Sequence, residues 1–248
     1  MTQALRRWLG VGAGAAAIFL AAGPAVAQGV TIDFGDGATL TERAVQLVAL
    51  VTILSLAPSI LVMVTSFTRI VVVLSLLRSA IGLQSAPPNA VMISLALFLT
   101  AFVMMPTFES AYEQGVRPMI DQSIAAPEAF ERASAPFHDF MMKHVREKDL
   151  ALFVDLSGAA APEKPEDLSL RVLIPAFMIS ELRRAFEIGF LLYLPFIIID
   201  LVVASVLMSM GMMMLPPVII SLPFKLIFFV MVDGWSLIAG SLVESFVK

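Results

Sequence analysis

Residues 186 to 210, FEIGFLLYLPFIIIDLVVASVLMSM, and residues 217 to 243, PVIISLPFKLIFFVMVDGWSLIAGSLV, are two long apolar runs joined by Gly211-Met212-Met213-Met214-Leu215-Pro216. Either run is long enough to cross a bilayer as a helix, because about 20 apolar residues rising about 1.5 Å each cover a hydrocarbon core of roughly 30 Å. The short link with glycine and proline at its ends predicts an antiparallel helical hairpin. Upstream, Ala90 to Met105 is another apolar run, expected to start near Asn89 after Pro87-Pro88 and to stop at Pro106. Ala44 to Leu77 is apolar almost throughout, interrupted by Pro58 and by Thr65-Ser66-Phe67-Thr68-Arg69. A single helix of that length would reach about 50 Å, so a bend near Pro58 or two helical pieces is expected. Hydropathy thus predicts an all-α membrane-associated protein with four membrane-length segments, a first apolar hairpin over residues 44–106 and a second over residues 171–248.

The composition agrees. The 248 residues are 59% hydrophobic with a mean hydropathy of +0.92, too apolar for a soluble core alone. A formal net charge of −4 leaves no basic surplus for nucleic acid. The chain contains no cysteine, which removes disulfides, thiolate metal ligands and cysteine nucleophiles. His138 and His144, the two histidines, are six apart and so about 240° apart around a helix, which suggests no metal site. Glycine loops for nucleotides, HExxH and GxSxG are missing too, and no cofactor is implied.

The first 27 residues resemble a secretory signal, with Arg6 and Arg7 before the apolar run from Trp8 to Ala22. Small residues at Ala25-Val26-Ala27 predict cleavage between Ala27 and Gln28. A retained membrane helix is the alternative, for which the apolar run is short. Residues 28–43 are a polar, turn-rich lead-in. Most of the charge lies in residues 107–170, expected to be a small helical domain in water. Within it, Phe137, Met141, Val145, Leu152 and Leu156 form an amphipathic stripe, with Pro136 in the first turn of its helix. Phe153 falls about 160° from Phe137 on that helix, with Phe140 at the edge of the stripe. Either the helix breaks near Asp149 and turns Phe153 inward, or it continues and Phe153 docks on a neighbouring subunit. With the N-terminus outside, the segment count places residues 107–170 in the periplasm.

Three stretches carry a specific resemblance: TRIVVVLSLLRSAIGLQSAPPN at 68–89, IPAFMISELRRAFEIGF at 174–190, and residues 194–235, which include MSMGMMMLPP and LPFKLIFFVMVDGW. These are similar to the FliP family of flagellar export proteins. The resemblance implies a core subunit of the type III export gate, a conduit for unfolded flagellar subunits rather than an enzyme. It further implies a homo-oligomer within a hetero-complex with FliQ and FliR, among other flagellar export proteins, at the basal body in the bacterial inner membrane. Virulence injectisomes use a paralogous subunit; the cleaved signal favours the flagellar version.

Candidate site residues follow. Gly211, Met212, Met213, Met214, Pro216 and Pro217 form the loop between the apolar runs. By composition alone the methionines fill an interfacial turn, whereas the resemblance implies a gate loop, for which flexible thioethers suit varied cargo. Asp200 and Lys225 are ionisable groups in apolar surroundings and demand partners. Folding the hairpin about Met213-Met214 brings Asp200 within a turn of Lys225, consistent with an intramembrane ion pair, with snorkelling to water as the alternative and a proton relay as a third reading. Glu181 and Arg184, three apart, and Arg183 and Glu187, four apart, suit local helix pairs. Glu181 and Arg184 are also candidates, with Phe140 and Phe153, for contacts between subunits.

Overall fold

A computed structural model describes residues 40–158, 168–212 and 214–247. The expected signal, its cleavage site at Ala27-Gln28 and most of the lead-in lie outside the described residues, as do residues 159–167 of the expected linker. Residues 54–248 form one compact unit, separate from the residues before them. Among the described residues all regular structure is helical.

Helix α1 (Leu40–Met63) keeps Pro58 in its interior, and the break comes later, at Val64 to Ser66. Hydroxyl groups explain the position. Thr65 Oγ1 accepts from the Phe67 N–H at 3.4 Å, and Thr68 Oγ1 donates to the Val62 carbonyl at 3.3 Å, so side chains replace the helical ladder there. Helix α2 (Phe67–Ile81) follows and ends at Gly82, whose φ of +93° allows the left-handed closing turn.

Helix α3 (Asn89–Ala111) begins at Asn89 but does not stop at Pro106. It continues through a π-helical turn (Tyr112–Val116) into α4 (Arg117–Ile120), giving one apolar segment from Asn89 to Ile120. A proline inside a helix costs about 3 kcal/mol. Packing offsets this, since Met104 and Ala111 on either side of Pro106 are buried. The π turn also serves packing: a Cβ on Gly115 would lie 2.6 Å from the Ala133 Cβ, so only glycine permits this approach to the next helix.

Helices α5 (Ala126–His144) and α6 (Glu147–Ser157) make up most of the charged region. Pro127 occupies the first turn of α5, and Pro136 lies in its interior rather than at its start. The chain breaks at Val145-Arg146, both extended, so the single stripe does not continue: Leu152 and Leu156 are exposed. Ser180 holds this corner. Its Oγ accepts from the Arg146 N–H at 3.1 Å and donates to Asp149 Oδ2 at 2.8 Å.

Helix α7 (Leu170–Ser209) has 40 residues and would extend about 60 Å. Helices α8 (Pro217–Met231) and α9 (Gly234–Val247) are bent by 62° at Val232-Asp233, where Asp233 has φ +50°. Gly234 is required at this bend, because a Cβ would come within 2.2 Å of the Phe229 ring. Among the described residues, two helices are long and apolar enough to cross a membrane, Asn89–Ile120 and Leu170–Ser209, or three spans if the bent pair is one. Among these residues the expected four are not all found as single helices: hydroxyls break the first run after Met63, and Asp233-Gly234 bends the last.

Helix α2 is the centre of the core. Ile70, Val73, Leu74 and Leu77 are buried against Ala185 and Phe196 of α7, Phe229 of α8 and Leu242 and Phe246 of α9. Gly189 lets α7 approach, as a Cβ there would meet Leu76 Cδ1 at 2.2 Å. A second cluster joins Met141 of α5 to Leu173 and Phe177 of α7.

Candidate functional site

The loop between α7 and α8 is built from backbone closure and exposed thioethers. Gly211 takes φ +76°, and the N–H groups of Gly211 and Met212 close the helix on the carbonyls of Met208 and Leu207 at 3.1 and 3.0 Å. Nothing lies within 4 Å of a Cβ added at Gly211, so conformation rather than space calls for glycine. Pro216 is extended and Pro217 begins α8, which pre-sets the return direction. Met214 is 98% exposed and Met212 is exposed beside it, while Met213 lies outside the described residues.

Behind the loop, Lys225 Nζ donates to Asp200 Oδ2 at 2.7 Å. Sequence reasoning missed the third member of this group, Ser221, whose Oγ donates to Asp200 Oδ1 at 2.5 Å. Ser221 is four residues before Lys225 and shares its helix face, and that spacing was the available signal. Lys225 also donates to the Ala80 carbonyl at 3.3 Å, so the pair fastens α7 and α8 to the end of α2. Lys225 and Ser221 are buried, and Asp200 retains 31% exposure.

A second pair lies deeper. Arg69 Nε donates to Glu181 Oε2 at 2.8 Å, and its Nη2 donates to Oε1, a two-pronged match of planar groups. Both side chains are almost wholly buried. Glu181, expected at a subunit interface with Arg184 as its helix partner, therefore points into its own chain and uses both oxygens on Arg69. Arg183 and Glu187 do pair along the helix, at 3.0 Å on the surface. Arg184 is half-buried.

Phe140 is half-buried and packs between Phe177 and Phe246 at ring-centre distances of 6.0 and 6.1 Å. Phe153 is half-buried on α6, and the continuous helix on which its docking depended is not formed, because the chain breaks at Val145-Arg146. The histidines occupy separate places: His138 Nε2 lies 3.0 Å from the Leu168 carbonyl oxygen, and His144 is buried between the carbonyls of Phe140 and Phe246. Burial holds the His144 imidazole below its ordinary pKa, against the upward pull of those carbonyls. Among the described residues no cluster of histidine and acidic side chains is able to hold a metal.

A sequence model of the FliP family matches residues 50–242, which include the loop and both charged pairs. The chain belongs to the FliP family. It is 66% identical over 234 residues to the flagellar biosynthetic protein FliP of Caulobacter vibrioides, covering 93% of this chain and 88% of that protein. It is 55% identical over 202 residues to the FliP of Bacillus subtilis, covering 82% and 91%, and 49% identical over 231 residues to that of Aquifex aeolicus, covering 92% and 97%. Arg69, Glu181, Asp200 and Lys225 all fall inside the matched region.

Proposed function

We propose that this chain is a core subunit of the flagellar protein-export gate in the bacterial inner membrane, a homo-oligomer that assembles with FliQ and FliR around the path of unfolded flagellar subunits. The observation that carries this reading is 66% identity across 93% of the chain to a flagellar biosynthetic protein. The exposed methionine loop supports a conduit role. Unbranched, polarizable side chains adapt to cargo of varied shape without a fixed fit. The Asp200–Lys225 pair ties α7 to α8 behind that loop, so the loop is the soft part of a braced hairpin.

In this reading Met212, Met213 and Met214 close the path between export events. The charged part of residues 107–170 that follows the apolar helix ending at Ile120 faces the periplasm, and energy for export comes from other proteins of the apparatus.

The test is cross-linking in cells. A photoreactive residue at Met212, in a strain whose export is arrested on a flagellar substrate carrying a folded plug, is expected to capture that substrate. Efficient capture by partner subunits with no capture of substrate would make the chain a scaffold around a path lined by others.

A further inference from the structure

The last described turn of α9 meets two other helices through charged and aromatic groups at once. Arg69 Nη1, from α2, donates to the Ser245 carbonyl at 3.3 Å and to Ser245 Oγ at 3.0 Å. The same guanidinium lies over the Phe246 ring, 3.7 Å from its centre, while Glu181 holds its other edge. From α5, His144 Nε2 lies 3.2 Å from the Phe246 carbonyl oxygen. The rings of His144 and Phe140 pack on Phe246 at 5.3 and 6.1 Å.

Carbonyls in the last turn of a helix have no partner within the helix. Here two of them, on Ser245 and Phe246, are met by side chains of other elements. His144 is moreover the last residue of α5, directly before the extended Val145-Arg146 corner that aims α6.

We infer that the Ser245-Phe246 turn is a latch: clasped by Arg69 and His144, it fixes the α5–α6 corner and so sets the direction in which α6 presents its exposed Leu152 and Leu156. The latch is separate from the export reading and from the methionine loop. It acts through the contacts of α9 with α2 and α5, in addition to the hold of Ser180 from α7 on the same corner. An ordinary core residue at Phe246 would stabilise all helices together; a latch stabilises the corner.

Hydrogen exchange on the full chain in detergent micelles separates the two. In a chain ended after Glu244, the amides of Val145, Asp149 and Leu150, which bond to Met141 and Arg146 carbonyls, are expected to exchange at least about ten-fold faster. Amides around Asp200 and Lys225 keep their rates. Phe246→Leu retains apolar volume while losing the ring stack and the cation contact, and serves if the shortened chain does not fold. It is expected to accelerate the same corner amides about three-fold or more. Unchanged corner amides, or equal acceleration in every helix, would overturn the latch.

Discussion

Lys225 on α8 donates to Asp200 on α7 at 2.7 Å, and Ser221, one turn before Lys225, donates to the other carboxylate oxygen. The hairpin that carries the methionine loop is therefore pinned by polar contacts in otherwise apolar surroundings. Removing one member leaves the other charge without a partner, which is costlier than replacing both.

Lys225→Ala is expected to destabilise the full chain by about 3 kcal/mol, the lower end for a buried pair because Asp200 retains some contact with solvent. Asp200→Asn combined with Lys225→Met is expected to cost less than the sum of the single changes. Thermal unfolding in micelles reads both. Strict additivity would show that the two residues do not act as a pair.

Arg69→Ala and Glu181→Ala are each expected to cost about 3–5 kcal/mol, because each strands a buried charge. The loss belongs to the single chain before any assembly. Limited proteolysis of freshly inserted subunits measures it, and a Glu181→Ala chain that is fully protected yet does not assemble would return Glu181 to an interface role.

The pH dependence follows from His144. Its folded pKa lies below the unfolded value of about 6.5 because burial disfavours the imidazolium, and the nearby positive charges of Arg69 and Lys143 act the same way. The contribution is fully present above about pH 6.5 and is lost as pH falls below that value toward the folded pKa. Melting temperature is expected to decline between about pH 6.5 and 5, with a shallower decline in His144→Asn. Identical pH profiles for the two proteins would exclude His144 as the source.

For the loop, shortening Met212, Met213 and Met214 together to alanine is expected to leave assembly intact while the complex leaks small solutes, since the proposed gate loses volume. Conductance across planar bilayers measures the leak. An unchanged conductance in fully assembled complexes would make the methionines filler in a turn.

Much of the architecture was legible along the chain. Apolar runs marked the helices of the hairpin, Pro87-Pro88 marked the start of α3 at Asn89, and Gly211 with Pro216-Pro217 marked the loop. These are local effects: each depends on a residue's own backbone limits or on the length of a helix relative to a membrane. The Asp200 to Lys225 proximity was legible for the same reason, because counting back from a short loop gives the register of a hairpin.

Other features depended on residues distant in sequence. The partner of Glu181 is Arg69, 112 positions away, while the helix spacing pointed to Arg184. Whether Pro106 ends a helix depended on the burial of Met104 and Ala111, and the end of α5 depended on Ser180, which meets the Arg146 N–H and Asp149 from α7. The sequence by itself determined which segments become helices and which ends of them are closed. Only the tertiary structure decided which buried charges meet and where the helices break, because those outcomes are set by packing between segments that no local period records.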